Sequence, residues 1–334
     1  MSSAQPSPTP DARSPKDPAL YSPLARFGGG RPPAPGWFVR AIAHAPQVSR
    51  VEVAGAGIEM LTWGEVGKPG LLLMHGNGAH AGWWKFIAPF FADRYRVAAF
   101  SWSGMGGSDW RPQYRLDLFV EEIVAVAEAA GLFAGVAKPF VVGHSFGAFP
   151  MAEMATLHGA RFRAAVVVDS PFLTPQRREE RRKERGVRPR RPRELTPHNI
   201  YPSLEAALAR FRLAPLQACE NLYIADLIAR DGLKRVDNPA GGEGWSWRFD
   251  PFLWRDFHLP DLTDRLGRAQ CPMALVRGAR SQLINDWDAA YGHALMRPGS
   301  PFVTIPDSDH HIMVDQPLAL VSALETLLAT WPAA

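Results

Sequence analysis

The chain has 334 residues, of which 46% are hydrophobic and 21% charged, and its formal net charge is +4. This composition is typical of a globular protein and excludes an intrinsically disordered chain. No apolar run approaches the roughly 18 residues of a membrane-spanning helix. The N-terminal residues lack the basic-then-apolar pattern of a secretory signal, so we predict neither export nor a membrane partner.

The positive charge is concentrated in one segment. Residues 177–193 contain nine arginines, one lysine and three glutamates, so the rest of the sequence is slightly acidic. We expect this run to be a solvated surface and not a site for nucleic acid or membrane. Cys219 and Cys271 form no C-x-x-C motif, and two unpaired cysteines fit a reducing, cytoplasmic compartment.

Residues 1–36 are rich in serine, proline and glycine and are predicted to form a flexible N-terminal arm, with docking on a partner subunit as the alternative. After the arm, an opening hairpin is followed by alternating strands and helices. The predicted strands are 50–53, 58–63, 71–74, 96–100, 139–142, 162–169, 272–278 and 302–306, and the predicted helices are 83–92, 116–130, 148–155, 287–295 and 318–330. This order predicts an α/β fold with a mostly parallel, doubly wound sheet of about eight strands.

The regular alternation stops between residues 170 and 262, where charged, proline and aromatic residues mix. We therefore predict a helical lid, or cap, at 172–261, inserted after the sixth strand above a core formed by 37–171 and 262–334. Five aromatic residues of the cap are candidates for the wall of an apolar pocket, with some of them expected in the cap's own core: Trp245, Trp247, Phe249, Phe252 and Trp254.

The most informative motif is Gly143-His144-Ser145-Phe146-Gly147. It follows a short apolar strand and precedes a helix, which is the context of a nucleophile elbow. Such a turn exposes the serine Oγ, and the glycines allow strand and helix to approach closely. We therefore predict that Ser145 is a nucleophile, with the helix N-terminus facing a developing negative charge.

A serine needs a base to remove its proton and an acid to orient that base. In this chain order the histidine follows the last strand, and we favour His310 over its neighbour His311. The acid usually lies after the penultimate strand, but that loop reads Gly278-Ala279-Arg280-Ser281. We favour Asp169, which ends the strand after the elbow strand, and keep Asp286 and Asp288 as alternatives.

Backbone donors for an oxyanion are predicted at Phe146 and in the sequence His75-Gly76-Asn77-Gly78, where Asn77 is favoured over Gly78. Gly76, Gly78 and His144 are predicted to contact the substrate. The histidines form no H-E-x-x-H motif and no Cys/His cluster, so we predict no metal and no cofactor.

In combination and order, these motifs resemble the α/β-hydrolase fold superfamily over residues 37–331, in particular its lid-bearing, esterase-like serine hydrolases. The glycine-rich loop 103–108 and Asp315-Gln316-Pro317 belong to the same resemblance. It implies that Ser145 is the nucleophile, that His310 is the base and that Asn77 and Phe146 are the oxyanion donors. Ser281 departs from the usual acid position and resembles relatives whose acid follows the strand after the elbow. Epoxide hydrolases and haloalkane dehalogenases of this fold carry an aspartate where this chain has Ser145.

The resulting hypothesis is a serine hydrolase that cleaves a carboxylic ester or thioester through an acyl-enzyme. The expected partner is a small-molecule substrate with an apolar part, and no oligomeric state is predicted. Two alternatives remain at this point: a C–C bond hydrolase that uses the same triad, and a non-catalytic binding module on this fold.

Overall fold

The computed structural model describes residues 17–184, 196–239 and 241–331. The strands in these ranges are β1 Gln47–Val53, β2 Ala56–Trp63, β3 Gly70–Met74, β4 Arg96–Phe100, β5 Phe140–His144, β6 Ala164–Val168, β7 Leu233–Asp237, β8 Glu243–Trp247, β9 Met273–Gly278 and β10 Phe302–Ile305. The α-helices are α1 Pro18–Tyr21, α2 Gly36–Ala43, α3 Leu116–Ala129, α4 Ala148–Leu157, α5 Pro175–Glu184, α6 Leu204–Leu208, α7 Leu222–Asp231, α8 Arg265–Arg268, α9 Asp286–Ala294, α10 Ile312–Asp315 and α11 Pro317–Thr330.

Eight strands form one sheet in the order β1-β2-β4-β3-β5-β6-β9-β10. β2 pairs antiparallel with β1 and with β4, and every other neighbouring pair is parallel. This arrangement confirms the predicted mostly parallel sheet of about eight strands. Because parallel strands end at the same edge, the residues that follow β3, β5, β6 and β9 lie close together.

The sheet is covered on both faces. Along β3, Leu71 and Leu73 pack into one apolar cluster, while Leu72 and Met74 pack into the cluster on the other face. All four side chains are completely buried, which explains why this strand is apolar at every position instead of alternating.

The segment predicted to be a helix at 83–92 is different in the structure. It consists of two 3₁₀ turns, Ala81–Trp84 and Ala88–Phe90. Pro89 has no backbone N–H and would break the hydrogen bonding of an α-helix through this stretch. The predicted apolar burial remains, because Trp84 and Phe86 are fully buried.

The insertion, which we define as residues 172–261, lies between β6 and β9 and is not entirely helical. Besides α5, α6 and α7 it contains the antiparallel hairpin β7–β8. Burial alternates along both strands, and the turn between them includes Gly241 and Gly242, which have positive φ angles. This period-two pattern could have predicted the hairpin from the sequence.

The described part of the predicted arm packs against the rest of the molecule. Leu24 is 3% exposed and belongs to one of the two core clusters. Arg230 of α7 donates hydrogen bonds to the carbonyl oxygens of Gly29 (2.6 Å) and Gly30 (3.2 Å). The prediction of a flexible arm therefore does not hold for residues 17–36, and residues 1–16 lie outside the described ranges.

A buried ion pair connects the glycine-rich loop to the sheet edge. Glu122 of α3 accepts hydrogen bonds from the Ser103 backbone N–H (3.0 Å) and from Arg111 (3.1 Å). Arg111 also donates to the carbonyl oxygens of Val53 (2.6 Å) and Ala54 (2.7 Å). Desolvation by burial raises the pKa of Glu122, which its hydrogen-bond donors and Arg111 oppose.

Removing one partner of this pair should destabilise the fold strongly. We expect Glu122→Ala to lower the free energy of unfolding by about 3–5 kcal/mol, because it leaves a buried guanidinium without its counter-charge. Urea denaturation followed by tryptophan fluorescence measures this change. The matched control is Glu128→Ala on the same helix, whose exposed ion pair with Arg161 should contribute little. Equal shifts of the urea midpoint in the two variants would contradict the assigned role.

Candidate active site

The predicted elbow is present. β5 leads into a 3₁₀ turn at Ser145–Gly147 and then into α4, and Ser145 has a φ of 51°, in the left-handed region. A Cβ at Gly143 would lie 2.9 Å from the Ala148 backbone, and one at Gly147 would lie 2.7 Å from the His75 carbonyl oxygen. The two glycines are therefore required by the close crossing of strand and helix.

The structure brings His310 to Ser145. The distance from His310 Nε2 to Ser145 Oγ is 3.0 Å, and the imidazole is 1% exposed. The loop that carries His310 is held by two carboxylates. Asp309 Oδ1 accepts from the His310 backbone N–H at 2.7 Å, and Asp315 Oδ2 accepts from the Asp309 N–H at 2.8 Å.

Asp169 lies on the other side of the imidazole. Its Oδ2 is 2.7 Å from His310 Nδ1 and also accepts a hydrogen bond from Ser281 Oγ at 2.6 Å, while its Oδ1 accepts from the Gly278 backbone N–H at 2.9 Å. Asp169 is fully buried and has a φ of 47°. Two donors, Ser281 Oγ and the Gly278 N–H, thus orient this carboxylate towards the imidazole.

The alternative acids are bonded elsewhere. Asp286 has a side chain that is 92% exposed and pairs with Arg277. Asp288 is buried, caps the N-terminus of α9 and pairs with Arg177 (3.2 Å) and Arg181 (3.1 Å). Of the three candidate acids, the structure places only Asp169 against His310.

The residues predicted for the oxyanion and the substrate surround Ser145. Gly76, Asn77, Gly78 and His144 line the same cavity as Ser145. Asn77 is held by Trp254 of the insertion, whose Nε1 donates to Asn77 Oδ1 at 2.9 Å. Phe146 is buried in the 3₁₀ turn directly after Ser145, and the first N–H groups of a helical turn have no acceptor within it.

Four further buried histidines surround this arrangement. His144 is oriented by its Nε2, which donates to the His310 carbonyl oxygen at 3.0 Å. His75 accepts from the Trp102 backbone N–H at its Nε2, so its Nδ1 donates to the Gly76 carbonyl oxygen at 2.7 Å. Burial lowers the pKa of His75 to about 3 and, as the largest cause, lowers the pKa values of His80, His144 and His311.

One histidine group could in principle hold a metal ion. In the described part of the chain, ring nitrogens of His144, His310 and His311 lie within 4.8 Å of one another. However, His310 uses both ring nitrogens on Ser145 and Asp169, and His144 uses one on a carbonyl oxygen. A metal ion here would have to compete with the contacts that orient Ser145.

The cavity above Ser145 has a volume of about 800 Å³ and lies between the sheet edge and the insertion. Of the five aromatic residues predicted for its wall, Trp247 and Phe249 line it. The remaining three, Trp245, Phe252 and Trp254, are not among its lining residues in the described ranges. Trp83 and Phe211 complete an aromatic wall that the sequence interpretation did not identify.

A model of the alpha/beta hydrolase family matches residues 71–324. The chain belongs to the alpha/beta hydrolase family. The esterase Rv0045c of Mycobacterium tuberculosis is 28% identical over 290 residues, which are 85% of this chain and 90% of that protein. Epoxide hydrolase A of the same organism is 30% identical over 134 residues, which are 39% of this chain and 40% of that protein.

Solved structures show the same fold. The structure of the esterase Rv0045c has a TM-score of 0.62 at 24% identity, with 92% of this chain and 97% of that chain covered. A thioesterase domain from the curacin biosynthetic pathway has a TM-score of 0.65 at 22% identity, with 84% and 99% covered. The predicted resemblance is confirmed, and the chain is an esterase-like hydrolase of this family. No helix in the described ranges is long and apolar enough to cross a membrane.

Several residues that organise this alpha/beta hydrolase site were not assigned a role from the sequence. Ser281 was noted only as a missing acid, yet its hydroxyl binds Asp169. A Cβ at Gly278 would lie 2.4 Å from the Asp309 carbonyl oxygen, so this glycine permits the approach of the His310 loop. Gly278 could have been identified from the sequence, because it ends a predicted strand beside the predicted site.

The buried histidines make the fold sensitive to acid. A histidine whose pKa is lowered in the folded state stabilises the protein above about pH 6.5, and this stability is lost as the pH falls. For each histidine that stays neutral in the native state, the free energy of unfolding should fall by about 1.4 kcal/mol as the pH decreases from about 7.5 to about 5.5. Asp315 acts in the opposite direction, because burial raises its pKa to about 6 and the native state binds that proton.

We therefore expect the free energy of unfolding to fall by several kcal/mol over this pH range. Urea denaturation at a series of pH values measures the slope, and the slope gives the difference in bound protons between the folded and unfolded states. In His311→Leu, the difference in bound protons that this slope gives should be smaller by about one. A stability that does not change between these pH values would contradict the neutral state of the buried histidines.

Proposed function

We propose that this hydrolase cleaves a carboxylic ester or thioester through an acyl-enzyme. The observation that carries the proposal is the continuous hydrogen-bonded chain from Ser145 Oγ through the His310 imidazole to Asp169. The esterase relative, aligned over most of both chains, supports the same bond type. The apolar wall of the cavity suits a substrate with a hydrophobic acyl or alcohol part.

In the proposed mechanism, Ser145 Oγ attacks the carbonyl carbon while its proton passes to His310 Nε2. Asp169 keeps the Nδ1 proton in place and stabilises the imidazolium that forms. The backbone N–H groups of Phe146 and Asn77 receive the negative charge that develops on the carbonyl oxygen. His310 then gives its proton to the departing alcohol or thiol, and a water molecule activated by the same imidazole hydrolyses the acyl-enzyme.

The first test is the nucleophile. We expect Ser145→Ala to abolish hydrolysis of p-nitrophenyl butyrate and covalent labelling by a fluorophosphonate probe, because this hydroxyl is the group that contacts His310 Nε2. The control is Ser322→Ala on α11, an exposed serine that is not among the residues lining the cavity. Labelling that persists in Ser145→Ala would refute the nucleophile assignment.

The second test separates the candidate acids. Asp169→Asn should lower kcat by about 10⁴-fold, as in triads where the acid is replaced by its amide. Asparagine tolerates the left-handed backbone of this position, so the fold should be retained. Asp286→Asn is the control and should leave kcat nearly unchanged, since this exposed side chain has no contact with His310. The reverse ranking of the two variants would show that the acid has been assigned wrongly.

A further inference from the structure

The cavity that contains Ser145 is lined by several cationic side chains. Arg210, Arg212 and Arg248 line it, and no aspartate or glutamate is among its lining residues in the described part of the chain. A cavity with one sign of charge and apolar walls concentrates the electric field and attracts ions of the opposite sign.

These arginines differ from most others in the described chain, which pair with carboxylates. The side chains of Arg210 and Arg212 form no ion pair or hydrogen bond within the described ranges. Arg248 is half-buried and makes a single side-chain hydrogen bond, from Nε to the Leu233 carbonyl oxygen at 2.8 Å. None of the three positive charges therefore pairs with a carboxylate in the described ranges.

Arg248 is also held in place. Its backbone N–H donates to the Gly232 carbonyl oxygen at 2.8 Å, and its two neighbours, Trp247 and Phe249, line the same cavity. Because Nε is fixed, the two terminal nitrogens form an oriented fork that matches the two oxygens of a carboxylate or phosphate. Arg210 and Arg212 lie on a separate segment after α6 and are exposed, so they add charge to the mouth of the cavity.

The remaining wall is apolar. Trp83, Phe211, Trp247 and Phe249 contribute aromatic surface to the cavity. A ligand that satisfies both parts of the wall combines an apolar segment with an anionic group.

We propose that Arg248, assisted by Arg210 and Arg212, binds an anionic group of the substrate, so that the preferred ester or thioester carries a carboxylate or phosphate. This inference rests on the proposed ester or thioester cleavage at Ser145. It deepens that proposal, because it assigns a specificity-determining subsite to the insertion.

Two matched pairs of substrates test the proposal and distinguish the two anions. The carboxylate pair is mono-p-nitrophenyl adipate and its neutral counterpart p-nitrophenyl hexanoate. The phosphate pair is hexanoyl-4′-phosphopantetheine and hexanoyl-pantetheine. We expect kcat/KM to be at least about 10-fold higher for the charged member of one pair. This preference should shrink as the salt concentration rises from about 50 to about 500 mM.

Variants then locate the subsite. Arg248→Met should lower kcat/KM for the preferred anionic substrate by about 10- to 100-fold and leave the neutral member within about 2-fold. Arg248→Lys should restore part of the loss, because it keeps the charge and loses the fork. The double variant Arg210→Gln/Arg212→Gln should produce a smaller loss and a weaker salt dependence. Arg235→Gln is the control, since this exposed arginine pairs with Glu243 on the β7–β8 hairpin and does not line the cavity.

A binding measurement keeps this test independent of turnover. Calorimetry of Ser145→Ala with adipate and with hexyl phosphate should show binding that Arg248→Met removes. If the wild type hydrolyses neutral and anionic esters equally well, the proposed subsite is wrong, whereas the proposed ester hydrolysis still holds. No hydrolysis of any substrate and no fluorophosphonate labelling, with anion binding retained, would instead overturn the hydrolase and keep the subsite.

Discussion

The hydrogen bond between Asp169 Oδ2 and His310 Nδ1 is the contact on which the site depends. The same carboxylate also binds Gly278 N–H and Ser281 Oγ, so the segments that follow β6, β9 and β10 converge on one buried side chain. Asp169 and Ser145 both adopt left-handed backbone conformations, which cost free energy for residues with a Cβ and persist only where the surroundings enforce them. Here the sheet supplies that enforcement, and the left-handed residues direct both side chains to its edge.

The register of the sheet explains why the proximity of Ser145 and Asp169 could be predicted from the sequence. His144 at the end of β5 pairs with Val168 at the end of β6, so Ser145 and Asp169 are the next residues on adjacent parallel strands. The apolar strand, the glycines of the elbow and the order of serine, aspartate and histidine are all local signals. They predicted the sheet and pointed to three residues that lie in contact in the structure, because β5 and β6 are neighbours both in sequence and in space.

The features of the fold and the site that were not predicted depend on contacts between residues far apart in the sequence, which local sequence patterns do not encode. Ser281 could be recognised as a residue that is not an acid, but its bond to Asp169 joins positions 112 residues apart. The packing of residues 17–36 depends on Arg230, about 200 residues further along the chain. The cationic cavity joins an irregular segment after α6 to the end of a hairpin, and neither stretch contains a functional motif. These three features therefore depend on long-range packing, which composition and periodicity do not encode.

The sheet edge of the core and the insertion contribute to the cavity in different ways. At the sheet edge, Ser145, His310 and Asp169 are hydrogen-bonded to one another, which holds them in one geometry before any substrate arrives. The insertion is attached to that edge by defined contacts, such as His80 Nε2 to the Ile228 carbonyl oxygen and the Asp250 N–H to the Gly104 carbonyl oxygen. Arg210, Arg212 and Arg248 of the insertion, in contrast, line the cavity without a counter-charge in the described chain. Since a charged group with no partner is costly as it becomes desolvated, the ligand itself is the natural source of the missing charge, and binding it would complete the electrostatics of the insertion.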